Sequence, residues 1–216
     1  MSDSVASDLD PESLRALARR KLAQTLVLAE LTGAVRAGDF ALNGLTPGET
    51  LVARARPAAV LAPIVARPAG LTMLLTLRAS HLRAHSGQIA FPGGKVDPGE
   101  TPDEAALREA HEEIGLEARF VEPLGWLDPY LTGTGFRVAP LVALIDPAFT
   151  LTPNELEVDE VFETPFAFLM DPANHRLDAR EWRGQVRKFY AMPHEGRYIW
   201  GATAGILRNL YEKLFV

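Results

Sequence analysis

Residues 91–116 read FPGGKVDPGETPDEAALREAHEEIGL, and this stretch decides how the middle of the chain folds. Thr101 and Glu104 have the spacing of a capping box, in which each side chain binds the backbone N–H of the other residue and so starts a helix. Gly115 suits the left-handed position that commonly follows a helix. We therefore predict a helix over residues 101–114, preceded by a turn that contains adjacent glycines.

The predicted helix gathers acidic side chains on one flank. With Arg108 at zero, Glu112 projects at about 40°, Glu109 at about 100° and Glu113 at about 140°. Two carboxylates about 5.5 Å apart repel by roughly 3 kcal/mol at an effective dielectric constant near 20. Either one carboxylate keeps a proton or a cation lies between them. All-oxygen ligands favour Mg²⁺ or Mn²⁺, and the alternative is a solvated acidic face.

Composition limits the class of protein. The chain has 216 residues, of which 47% are hydrophobic, and it has no cysteine. This length is sufficient for one domain with an appendage, and the lack of cysteine excludes a disulfide framework, a thiolate zinc site and a cysteine nucleophile. No apolar run approaches the roughly 18 residues that a membrane span needs, and the first residues lack a signal pattern. We expect a cytoplasmic protein that does not bind a membrane.

The distribution of charge indicates the kind of substrate. The net charge is −6 and the pI is about 5.4, which argues against a broad nucleic-acid-binding face. Residues 50–96 contain no Asp or Glu, whereas residues 94–116 contain seven acidic side chains and two basic ones. A small anionic substrate held by local arginines, with cations neutralising the acids, fits this arrangement. The alternative is that surface elements merely carry charge in blocks.

The remaining pattern predicts an α/β or α+β protein. We expect an amphipathic helix over residues 10–32, a linker over residues 37–50, and a terminal helix over residues 202–214. Strands are expected at residues 59–65, 72–77, 120–127, 136–145, 182–191 and 197–200. This divides the chain into an N-terminal helical extension and linker, residues 1–50, and a main domain, residues 51–216.

The glycine turn and acidic helix together resemble the Nudix box. The matching fixed positions are Gly94, Glu100, Arg108, Glu109, Glu112, Glu113 and Gly115. This resemblance implies a Nudix α/β/α sandwich around a mixed sheet, with an extra N-terminal helix. It also implies that Glu109 and Glu113 are the principal metal ligands, that Glu112 binds a further metal, and that the Gly93 carbonyl adds an oxygen. Glu100 and Arg108 would form an ion pair that orients the helix.

A second motif lies upstream, where residues 74–79, Arg83, Gly87 and residues 91–94 resemble the Nudix branch that hydrolyses coenzyme A. The resemblance implies metal-dependent hydrolysis of coenzyme A to 3′,5′-ADP and 4′-phosphopantetheine. Candidate substrate-binding residues are Arg78, Arg83, Gln88 and Tyr130. Tyr130 is expected to stack on adenine or, alternatively, to pack within the strands.

The candidate catalytic residues are Glu113, Glu112 and Glu157. We select Glu157 as the general base, with Glu155, Glu160 and Glu112 as rivals. Two other functions stay open, namely hydrolysis of another nucleoside diphosphate derivative such as ADP-ribose or a dinucleotide, and a non-catalytic Nudix-fold binding module. The N-terminal helix is expected either to cap the core or to form a homodimer.

Overall fold

The computed structural model of the chain describes residues 6, 9–26, 31, 37–82, 86–182 and 184–216. The helices are α1 (Pro11–Lys21), α2 (Asp39–Leu42), α3 (Glu49–Arg54), α4 (Pro102–Ile114), α5 (Phe166–Leu169) and α6 (Ala202–Phe215). The strands are β1 (Arg56–Arg67), β2 (Gly70–Arg78), β3 (Ile89–Ala90), β4 (Gly93–Lys95), β5 (Val121–Trp126), β6 (Tyr130–Leu131), β7 (Phe136–Ile145), β8 (Val158–Pro165), β9 (Arg176–Trp182), β10 (Gln185–His194) and β11 (Arg197–Trp200).

Strand β1 organises a mixed sheet. It pairs in parallel with β7 along most of its length and antiparallel with both β2 and β4. Within the described residues the strand order is β3-β2-β1-β7-β5, with β8 on the free edge of β2, β4 beside β1 and β6 beside β7. Because β4 meets β1 near its start and β2 meets it near its end, the two partners share one edge of β1.

Helices cover both faces of this sheet, because alternate strand residues point in opposite directions. Leu74 belongs to the cluster that packs under α4, whereas Met73 and Leu75 belong to the cluster under α1, α5 and α6. Alanines 105, 106 and 110 of α4 are fully buried and let this helix lie close to the strands. The arrangement is an α/β/α sandwich around a mixed sheet, as predicted.

The N-terminal helix is shorter than predicted. Asp10 caps its start by accepting a hydrogen bond from the Ser13 backbone, but α1 ends at Lys21 instead of continuing to residue 32. The cause is the sheet, since Ala23 exchanges backbone hydrogen bonds with Trp126 at 3.3 and 2.8 Å. Residues 27–30 and 32 of the predicted helix lie outside the described residues.

The predicted extension and linker pack onto the domain. Leu14 and Ala18 of α1 are fully buried in the cluster that also contains residues of β2 and α6. The segment expected to be a linker contains α2, and its Asn43 side chain binds both the N–H and the carbonyl of Lys188. The boundary at residue 50 stays a prediction.

Strands β9, β10 and β11 form a separate antiparallel sheet. The strand predicted over residues 182–191 is wrong in its bounds, because a turn at Gly184, with φ of +73°, separates β9 from β10. Strand β11 lies beside β3, and Thr203 of α6 donates a hydrogen bond to the Ile89 carbonyl of β3 at 2.9 Å. No helix in the described part of the chain is long and apolar enough to cross a membrane.

Candidate active site

The adjacent glycines bring the β4 backbone against the carboxylates of α4. The Gly93 N–H donates to Oε2 of Glu113 at 3.1 Å. A Cβ on Gly94 would overlap the Glu109 carboxylate, and a Cβ on Gly93 would overlap the backbone of β1. Helix α4 itself begins as predicted, with Thr101 and Glu104 forming a capping box and Gly115 in the left-handed conformation. The turn therefore has room for glycine at these two positions and for no larger residue.

Glu113 is the buried carboxylate of the site. Its residue is 2% exposed, and burial raises its pKa from 4.5 to about 7. The Gly93 N–H and the guanidinium of Arg78 oppose this increase, whereas the charges of Glu109 and Glu157 add to it. Nη1 of Arg78 lies 3.4 Å from Oε1 of Glu113. The Gly93 N–H and the Arg78 guanidinium thus offset only part of the cost of burying the Glu113 charge.

Arg108 contacts three glutamates at once. Its Nε and Nη2 bind the two oxygens of Glu100 at 2.8 and 3.0 Å, and Nη2 also donates to the Lys95 carbonyl at 3.1 Å. Its Nη1 donates to Oε1 of Glu109 and Oε2 of Glu112, both at 3.0 Å. These contacts lower the pKa of Glu100 and raise that of Arg108. The Glu100–Arg108 pair fastens the glycine turn to the helix.

The remaining acids of the flank differ in exposure. Burial is the largest cause of a raised pKa at Glu109, and Arg108 opposes it while Glu112 and Glu157 add to it. The Glu112 side chain is 54% exposed. The flank therefore runs from a buried carboxylate at Glu113 to a solvated one at Glu112.

The carboxylate oxygens of Glu109, Glu112 and Glu113 are the kind of ligand that a hard divalent cation prefers. They lie beside the backbone of the glycine turn, where a Cβ would fill the available space. In this conformation, however, Arg108 holds Glu109 and Glu112. Within the described residues, no three His, Asp or Glu side chains converge closely enough to coordinate an ion. Nη1 of Arg108 contacts Oε1 of Glu109 and Oε2 of Glu112, so an ion bound at this flank would compete with Arg108 for these two carboxylates.

The pairing of β2 with β8 places Glu157 at the site. Arg78 lies opposite Val158, and the Ala79 N–H donates to the Glu157 carbonyl at 2.9 Å. The Glu157 charge raises the pKa of both Glu109 and Glu113, so its carboxylate lies near them. Its rival Glu160 binds Arg197 instead, and Glu155 is exposed.

Asn154 is a residue of this site that the sequence analysis did not select. Its side chain donates to Oε1 of Glu157 at 3.2 Å, and its N–H donates to the Glu113 carbonyl at 2.9 Å. Its Oδ1 accepts the N–H of Leu156, a turn that asparagine commonly forms two residues ahead. That local pattern is the only signal in the sequence for its position.

The predicted substrate-binding residues have different outcomes. Arg78 contacts Glu113 through its guanidinium. Gln88 is joined to Arg78 through the backbone, where its carbonyl accepts the Arg78 N–H at 3.0 Å. Arg83 lies outside the described residues. Tyr130 is 3% exposed and packs against Gly205 of α6, in the cluster on the sheet face opposite α4. This burial contradicts its predicted role in substrate binding and supports the alternative of a strand-packing aromatic.

The fold and the site define a Nudix-type domain, with an acidic helix held by a glycine turn on a mixed sheet. The family description "NUDIX domain" matches residues 55–186. The uncharacterized Nudix hydrolase NudL of Yersinia enterocolitica is 42% identical over 181 residues, which cover 81% of this chain and 89% of that protein. The NudL protein of Yersinia pestis is 40% identical over 176 residues, covering 81% and 87%.

A solved structure shows the same fold. The Nudix hydrolase RenU of M. smegmatis superposes with a TM-score of 0.50 at 23% identity and covers 73% of this chain and 84% of that one. The chain belongs to the Nudix hydrolase family and is a pyrophosphohydrolase. Nudix hydrolases act on small-molecule pyrophosphates and generally need divalent metal ions.

Proposed function

We propose that the chain hydrolyses the pyrophosphate bond of coenzyme A, with Mg²⁺ or Mn²⁺, to 3′,5′-ADP and 4′-phosphopantetheine. The observation that carries this proposal is the contact between Arg78 and Glu113. Arg78 belongs to the upstream segment that resembles the coenzyme A branch, and Glu113 belongs to the acidic helix. The residues that suggest the substrate and those that suggest the metal chemistry therefore meet in one place.

The roles of the carboxylates follow from their burial. Glu109 and Glu113 would hold the principal divalent ion, with Glu112 for a further ion and the Gly93 carbonyl as an added oxygen. A bound ion polarises the phosphoryl oxygens and lowers the pKa of coordinated water. Burial of Glu113 favours its neutral form in the free protein, so the carboxylate gains most from a cation beside it.

The other residues bind the substrate and move a proton. Arg78 and Arg83 would neutralise the pyrophosphate oxygens, and Gln88 would hydrogen-bond to the same group. Water attacks one phosphorus atom, the anhydride P–O bond breaks, and the bridging oxygen leaves with the other phosphate. The Glu157 carboxylate would take the proton of the attacking water, held towards the site by Asn154.

The test is product analysis with the purified full chain. Coenzyme A, ADP-ribose and a dinucleotide are each incubated with Mg²⁺ or Mn²⁺, and the products are separated by chromatography and mass. We expect 3′,5′-ADP and 4′-phosphopantetheine to form fastest, with turnover at least about 100-fold lower in Glu109→Gln and Glu113→Gln, because each removes a metal ligand. The exposed Glu117→Gln is the matched control and should keep full activity.

Two results would contradict this assignment. If ADP-ribose or the dinucleotide were hydrolysed faster than coenzyme A, the assignment of coenzyme A as the substrate would be wrong. If Glu109→Gln or Glu113→Gln had normal turnover, the substituted residue would not be a metal ligand. A homodimer and a cytoplasmic location stay predictions.

A further inference from the structure

Strand β9 forms one edge of the separate three-stranded sheet, and its outer side is open. In the described part of the chain β9 pairs only with β10, in one continuous register without a bulge. The strand contains no proline. Leu177 is 53% exposed, and Ala179 and Glu181 are exposed as well. An edge strand with none of these protecting features is a template for pairing with a further strand.

The backbone groups that β9 presents on its outer side can be identified from the opposite strand. In an antiparallel pair, two residues that lie opposite each other either bind each other or both point away. Lys188 of β10 lies opposite Ala179, and its N–H and carbonyl bind the Asn43 side chain instead. The N–H and carbonyl of Ala179 therefore point to the outer side of β9. Because the two kinds of pair alternate along the strand, so do those of Leu177 and Glu181.

The charges of β9 complement a second, antiparallel copy of the same strand. If the two copies meet at Ala179, Asp178 of each copy lies opposite Arg180 of the other, and all seven residues of the strand are paired. Centring the pair on Asp178 would place this residue opposite its own copy and Arg176 opposite Arg180. Centring it on Arg180 would place two arginines opposite each other. Since like charges directly opposite are destabilising, the charge pattern favours the register centred on Ala179.

A second copy also reduces a repulsion within the sheet. Arg180 lies directly opposite Arg187 of β10. Among the described residues neither arginine forms an ion pair with a carboxylate, and Asp178 accepts the hydroxyl of Tyr198. In the register centred on Ala179, Asp178 of the second copy lies beside Arg180 on the side away from Arg187. Its negative charge there offsets the repulsion between the two arginines.

We propose that two copies of the chain associate through β9, antiparallel and centred on Ala179, so that their two three-stranded sheets become one continuous sheet. At about 3.3 Å per residue, the strand is about 23 Å long. The contact is therefore small, and the dimer should be reversible and depend on protein concentration. The proposal is independent of the proposed function, because it uses no residue of the acidic site.

The first test is sedimentation equilibrium of the full chain over about a 100-fold range of protein concentration. We expect wild type to pass from monomer to dimer. Ala179→Pro should raise the dimer Kd at least about 100-fold, because it removes an outward N–H and its ring blocks the approaching strand. The monomer should keep its fold, as checked by circular dichroism, since an edge strand tolerates a proline whose missing N–H would face solvent.

Charge reversal tests the register. Asp178→Arg and Arg180→Asp should each raise the dimer Kd about 10- to 100-fold, because each places like charges opposite each other at two symmetric positions. An equimolar mixture of these two variants should dimerise again, since opposite charges meet at both positions of the mixed pair. Arg119→Asp is the control, because Arg119 is exposed outside this sheet and its reversal should leave the Kd unchanged.

Three results would overturn the proposal. They are a wild-type chain that stays monomeric, an Ala179→Pro variant that dimerises like wild type, and a mixture of Asp178→Arg with Arg180→Asp that does not associate.

Discussion

Replacement of Glu113 by glutamine should change how the stability of the metal-free protein depends on pH. In the unfolded chain this carboxyl ionises near pH 4.5, whereas in the folded chain its pKa is about 7. Between pH 4.5 and about pH 7, the folded state therefore keeps a proton on Glu113 that the unfolded state has released. The resulting stability is fully present below pH 4.5 and is lost as the pH rises through 7. At about 1.4 kcal/mol per pH unit, the difference amounts to about 3 kcal/mol.

Glutamine is neutral at every pH, so Glu113→Gln should lack this loss. Its free energy of unfolding, relative to wild type, should increase by about 3 kcal/mol between pH 4.5 and pH 8.5. The assay is urea unfolding in a chelating buffer, followed by circular dichroism at half-unit pH steps. Glu117→Gln serves as the control for removal of a glutamate charge, since Glu117 is exposed beside Arg119.

Addition of a divalent ion extends the test. An ion that binds only the folded state at 100 times its Kd stabilises a protein by about 2.7 kcal/mol. Wild type should gain this stability at pH 8 and Glu113→Gln should gain much less. Parallel pH profiles for wild type and Glu113→Gln would refute the claim that burial of this carboxyl sets its pKa.

Two further substitutions test the geometry of the site. Gly94→Ala should lower kcat more than about 10-fold, because the new Cβ displaces the Glu109 carboxylate. The helical circular dichroism signal should be unchanged. Full activity would show that the turn can move aside. Arg78→Ala should raise the KM for the pyrophosphate substrate about 10- to 100-fold by removal of a charged contact, with partial recovery in Arg78→Lys. If steady-state kinetics gave Arg78→Ala and Arg78→Lys the same KM as wild type, Arg78 would not contact the substrate.

The elements that were predictable are those whose signals are local. The start of α4 depends on Thr101 and Glu104, which lie within one turn, so the capping box could be recognised in the sequence. The end of α1 depends on Trp126, which is remote in the chain and takes the backbone of Ala23 into the sheet. An amphipathic pattern that continues past Lys21 carries no information about this competing partner.

The same distinction applies to the site. The resemblance to the Nudix box implied the ion pair of Glu100 with Arg108, and the structure contains this pair because the capped helix and its preceding turn fix both ends. The burial of Tyr130 depends on Gly205, whose missing side chain leaves room for the ring, and no local pattern indicates that contact. Burial of Glu113 also arises only when β4 and β2 close over the helix, so its raised pKa was not predictable from helix geometry.

Arg108 explains how an acidic flank can fold before it binds an ion. Its Nη1 group lies between Glu109 and Glu112, where it offsets the repulsion that the helix geometry predicts. The pair with Glu112 is partly solvated and therefore weak, so a divalent ion can displace it at little cost. The Nε and Nη2 groups of Arg108 bind Glu100 and the Lys95 carbonyl, and these contacts do not involve Glu109 or Glu112. One half of the guanidinium would thus keep the turn attached to the helix if an ion displaced the other half from Glu109 and Glu112.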